Sequence, residues 1–129
     1  MQKLKSKAGF SFVEVVITLF IIGVILTLYV AAVNTMHLAK TVKHQELALR
    51  VANNKMEELR AGGYLNLPPS GSFSDSQLSA LPSSSASMTI TDYNTSTKQV
   101  LVNIQWKENG SSAFRNIGLT TLITKVGGL

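Results

Sequence analysis

The chain has 129 residues, no cysteine and a formal net charge of +5. That length holds one domain at most, and without cysteine neither a disulfide framework nor a thiolate metal site can form. The charge does not mark a nucleic-acid binder: without Lys3, Lys5 and Lys7, the twelve basic residues fall to nine against seven acidic ones.

Those three lysines precede an apolar segment. Residues 10–33 read FSFVEVVITLFIIGVILTLYVAAV, and the nineteen residues 15–33 carry no charge. At the helical rise the uncharged run covers ~28 Å, close to the ~30 Å hydrocarbon thickness of a bilayer. So small a chain cannot surround a helix that is apolar on every face, so residues 10–33 are expected to cross a membrane. The lysines place the N-terminus in the cytoplasm and residues 34–129 in the periplasm or outside the cell. Lys40 and Lys43, beyond the span, weaken this bias without reversing it. An ordinary secretory signal fits poorly. Its apolar region is shorter and its small cleavage-site residues follow that region, whereas Ala8-Gly9 precedes it here.

Glu14 is the anomaly in this segment. A carboxylate in a spanning helix costs ~2.5–3.5 kcal/mol at the bilayer centre and less toward the interface. A boundary position and the positive end of the helix macrodipole account for its being tolerated. Neither gives a membrane anchor a reason to have it.

Residues 7–15, KAGFSFVEV, resemble the processing motif of type IV prepilins. A short basic leader ends at Gly9, Phe10 follows, Glu14 lies four residues further on, and a long apolar helix continues. The resemblance implies a pilin-like α+β fold and several roles. A membrane-embedded prepilin peptidase would remove leader 1–9 by cutting between Gly9 and Phe10, then N-methylate the Phe10 amine. Glu14 would serve assembly by pairing with the N-terminal amine of an adjacent subunit. The implied partners are other pilin or pseudopilin subunits, the prepilin peptidase, an inner-membrane assembly platform, and membrane lipid before assembly. Major pilins of one common type carry a proline where Ala31 stands here. Residues 50–61, RVANNKMEELRA, resemble I-type minor pseudopilins of type II secretion and V-type minor pilins. The implied role is therefore a minor subunit of a pilus, secretion or competence filament.

Residues 34–61 contain no Gly or Pro and continue the helix. Leu38, Val42, Leu49, Ala52, Met56 and Leu59 fall at helical spacing and predict one apolar stripe that packs on a small sheet. Gly62-Gly63 is a stop signal. Residues 62–87 hold three prolines and nine serines. They are expected to be a connecting loop, with a short helical turn near residues 76–81. From residue 88 the period becomes two. Val100, Val102, Ile104 and Trp106 alternate with polar or outward residues, Asn109-Gly110 is a hairpin signal, and residues 114–124 return through Ile117, Leu119 and Ile123. With residues 87–93 as a further strand, three antiparallel strands are expected within residues 88–129.

The sequence offers no catalytic constellation, cofactor motif or metal set. His37 and His44 lie ~10.5 Å apart on a helix, too far to share a metal, and are expected to be solvated. Asp75 and Asp92 are isolated, which leaves a calcium loop unsupported. Trp106 is expected to pack in the core or hairpin, and nothing marks a nucleic-acid surface. The runner-up to a filament subunit is an uncleaved, single-pass anchored binding module, which leaves Gly9-Phe10 and Glu14 without a purpose.

Overall fold

The computed structural model describes residues 9–125. Of the expected leader only Gly9 falls within that range, and the last four residues of the expected β region lie outside it.

Helix α1 (Phe12–Gly62) has 51 residues and holds both the uncharged run and the amphipathic continuation. It closes at the glycine pair. The Gly63 N–H donates to the Arg60 carbonyl at 3.1 Å, and Gly63 takes a φ of 70°, where a side chain would be strained. The chain forms two compact units, residues 1–39 and residues 40–129.

In the first unit every described residue from Gly9 to Ala39 is exposed except the half-buried Val33. The second unit is α+β. Four strands form one antiparallel sheet in the order β1-β2-β3-β4: β1 (Gly71–Ser72), β2 (Ser85–Asn94), β3 (Thr97–Lys107) and β4 (Phe114–Thr124). β3 and β4 pair without a bulge over eleven positions, from Thr97 opposite Thr124 to Lys107 opposite Phe114. The turn between them uses Gly110 at φ 84°, as the Asn-Gly signal predicts.

The core lies between the C-terminal half of α1 and the sheet. Ala48, Val51, Ala52, Met56 and Leu59 cluster with Val100, Val102, Ile104 and Trp106, and Leu78 and Leu81 complete the set. Each large side chain buried here contributes about 1.5–3 kcal/mol. The predicted stripe is corrected at its N-terminal end. Leu38 and Val42 are 65% and 54% exposed and precede Ala48, where the buried face begins, while Leu49, 41% exposed, lies at the margin of that face. Helical periodicity marks a face along the whole helix, while the sheet decides how much of that face is covered.

Residues 62–87 are more ordered than a connecting loop. Short 3-10 helices occupy Tyr64–Asn66 and Ser76–Ala80, and the latter is capped by the Asp75 carboxylate, which accepts from the Gln77 N–H at 2.8 Å. β1 adds a fourth strand, and β2 starts at Ser85 because Ser85 and Ser87 occupy its exposed positions while Ala86 and Met88 point inward. Leu78 and Leu81 carry this segment over the core.

Candidate functional site

The sequence-predicted site residues lie at the start of α1. Gly9 and Phe10 are exposed and precede the helix, and Phe10 is 81% exposed. The first turn is closed by the Ser11 carbonyl, which accepts from the Glu14 N–H at 2.9 Å and the Val15 N–H at 3.2 Å. Ser11-Phe12-Val13-Glu14 has the order of a capping box, with Ser just before the helix and Glu at its third position. Glu14 is the acidic residue of that first turn, where the unpaired N–H groups favour negative charge. Its carboxylate makes no hydrogen bond or ion pair among the described residues. An exposed Gly9-Phe10 bond thus lies one helical turn from a carboxylate that has no partner among the described residues.

The helix behind Glu14 suits a medium without water. Its threonine hydroxyls bond to carbonyls of their own helix: Thr18 to Glu14 at 2.8 Å, Thr27 to Val24 at 2.8 Å and Thr35 to Ala31 at 2.9 Å. A hydroxyl satisfied within its own helix adds little cost in hydrocarbon. Phe20, Gly23, Val24 and Thr27 line a shallow apolar groove of about 320 Å³ on the helix surface. This one helix is long and apolar enough to cross a membrane, and its apolar window has no buried residue.

A second polar cluster joins elements that are remote in sequence. His44 Nδ1 lies 2.8 Å from Glu108 Oε2, and Trp106 Nε1 donates to Glu108 Oε1 at 2.9 Å. His44, expected to be solvated, is therefore half-buried against the turn that follows β3. Burial raises the pKa of Glu108. The hydrogen bonds from Trp106 and His44, with the nearby charges of His44 and Arg115, outweigh that effect and hold it below the ordinary glutamate value. No periodicity connects residues 44 and 108, so only the folded chain reveals this clasp. Among the described residues, no group of three or more His, Asp or Glu side chains is placed to hold a metal ion.

Residues 4–30 match the prokaryotic N-terminal methylation motif. The chain carries the type IV pilin signature. The match includes Gly9, Phe10 and Glu14 and ends inside the apolar part of α1, so the pilin-like fold of the remainder rests on its own helix and sheet. The signature is that of structural subunits matured by prepilin peptidase and assembled with other pilin subunits, and together with the apolar helix it indicates membrane anchoring. No curated protein and no solved structure matches the chain.

Proposed function

We propose that this chain is a minor pilin or pseudopilin, a structural subunit of a type IV pilus, type II secretion or competence filament. The observation that carries the reading is the methylation-motif match over residues 4–30, on a chain whose Gly9-Phe10 bond is exposed just before an apolar helix. Peptidase action hydrolyses the Gly9–Phe10 amide, releases leader 1–9 and leaves a Phe10 amine, which then takes a methyl group from an electrophilic methyl-donor cosubstrate as the donor departs and the amine loses a proton. The subunit waits in the inner membrane with its N-terminus on the cytoplasmic side and residues 34–129 on the other. An assembly platform then moves it into the filament.

Glu14 supplies the register. Between packed apolar helices a lone carboxylate is unstable, and a cationic amine beside it removes most of that penalty. The methylated Phe10 amine of a neighbouring subunit is the cation that assembly brings there. Apolar helices slide past one another at little cost, whereas this pair favours one offset. Ala31, in place of a proline, and the short sheet domain support a minor subunit over the common kinked major pilin.

N-terminal sequencing and mass analysis of the protein purified from membranes tests this reading. A mature start at N-methyl-Phe10 is expected. A start at Met1 in cells with active prepilin peptidase removes the filament reading and leaves an uncleaved anchored module.

A further inference from the structure

The two edges of the sheet are unequal. In an antiparallel pair, opposed residues alternate between those that bond to each other and those whose backbone groups face away. The Lys125 N–H donates to the Ser96 carbonyl at 2.8 Å, which fixes the phase of the β3–β4 ladder. Residues 115, 117, 119, 121 and 123 therefore bond to β3. The N–H and C=O groups of Asn116, Gly118, Thr120 and Leu122 point away from the sheet. Two other bonds agree with this phase across the sheet. The Phe73 N–H donates to the Ala86 carbonyl at 3.1 Å, and the Ile90 N–H donates to Ser70 Oγ at 2.8 Å, both on the far edge of β2.

That far edge of β2 is covered from Ala86 to Ile90. Phe73 occupies Ala86, Gly71 pairs with Met88, and the Ser70 hydroxyl both accepts from the Ile90 N–H and donates to the Ile90 carbonyl. A single side chain thus replaces a rung of the ladder. From Asn116 to Leu122, β4 has no such cover among the described residues, and it has no proline or bulge there. Phe114 and Leu122 on its outward-facing phase are 61% and 50% exposed. Sheet proteins normally protect such an edge.

We propose that the β4 edge is a docking site for an extended strand of a different polypeptide, one with carboxylates near both ends. Charge selects the occupant. Arg115 stands near the start of β4 and Lys125 just past its end. Both lie on the helix side of the sheet, since Arg115 is opposite Trp106 and Lys125 lies 5.3 Å from the Tyr64 ring. A second copy fits badly. In the two-fold β4–β4 register centred on Thr120, each Arg115 lies directly opposite a Lys125, and like charges so placed are destabilising. Head-to-tail pairing meets the opposite edge of the sheet, where β1 offers only two residues. A foreign strand with acidic ends meets neither obstacle, gains main-chain hydrogen bonds and covers Phe114 and Leu122. This site does not depend on processing at Gly9-Phe10, and it stands or falls separately from the filament reading.

Amide hydrogen exchange on the full chain in detergent micelles tests the proposal. The probe is a synthetic peptide, as long as β4, that alternates Thr and Val between two terminal Glu residues. In the free protein the amides of Asn116, Gly118, Thr120 and Leu122 should exchange faster than those of Ile117 and Leu119. Saturating peptide should slow those four by about tenfold or more and leave their neighbours unchanged. A peptide with Lys at both ends should bind about tenfold more weakly, and one N-methylated along its pairing edge should not bind. Thr120→Pro removes one outward N–H without breaking the β3 ladder, so it should abolish peptide protection while the circular dichroism spectrum is kept. Full protection of the four amides in the free protein, or equal binding of the Lys-ended peptide, overturns the proposal. So does protection that rises with protein concentration alone, since a second copy is then the occupant. Failure of the Glu-ended peptide to protect the edge overturns it as well.

Discussion

Val42 and Val51 have the same side chain and belong to the same helix, yet Val42 is 54% exposed and Val51 is fully buried. The contrast extends along α1. Residues 12–32 expose every side chain, while residues 48–59 supply five members of the core. Apolar surface in the second region is used within the chain. In the first region it has no partner among the described residues, and it is available to lipid or to other subunits. One helix therefore divides its apolar residues between folding and association, and substitutions in the two regions should report on different processes.

The largest effect is expected at Glu14. Glu14→Ala should leave folding of residues 40–125 untouched and lower recovery in sheared filaments at least about a hundredfold, as loss of a buried charge pair implies. Recovery at the wild-type level would detach Glu14 from assembly. Next come the buried positions. Met56→Ala should cost about 2–5 kcal/mol in urea unfolding followed by protection of the β3 amides, because it leaves a cavity between helix and sheet. A cost near zero would mean that this length of the helix does not hold the sheet.

A smaller, pH-dependent effect belongs to Glu108. Its pKa is lowered in the folded chain, so the ionised form favours folding. This contribution is complete above the unfolded pKa and is lost as the pH falls through the lower folded value. Wild type should thus lose stability on acidification from the ordinary carboxylate range downward, and Glu108→Gln should flatten the curve there. Parallel curves would show that the clasp with His44 and Trp106 does not couple to folding. The smallest stability change is expected for Val42→Ser, within about 0.5 kcal/mol. The same variant should still reduce filament recovery if that face meets another subunit. A destabilisation as large as that of Met56→Ala would show that exposure along α1 does not separate folding from association.

Features governed by local chemistry could be read from the sequence. The Gly62-Gly63 stop, the Asn109-Gly110 turn and the alternation of β3 and β4 each depend on a few adjacent residues, and the structure has them in place. The Gly9, Phe10 and Glu14 motif is likewise contiguous. Where tertiary contact decides, the sequence was less informative. Leu38, Val42 and Leu49 share the periodicity of Met56 and Leu59, but nothing local states that Leu38 and Val42 precede the buried face or that Leu49 lies at its margin. β1 has two residues, too few for any alternation, and is held by pairing with β2 and by Ser70. The serine-rich composition of residues 62–87 points to a connecting loop with a short helical turn near residues 76–81. In the fold several of those hydroxyls bond to backbone groups, such as Ser84 Oγ to the Leu78 carbonyl at 2.7 Å. His44 gave no sign of Glu108, because proximity across that sequence distance exists only once α1 lies on the sheet.

Trp106 has a further consequence for experiment. It is the one tryptophan in the chain, it is 1% exposed, and its indole N–H is held by Glu108. Its fluorescence is therefore an intrinsic, single-site optical reporter in the sheet-bearing unit. Exchanging detergent for lipid around residues 12–39 should leave its emission maximum in place, and a red shift would signal water reaching the core.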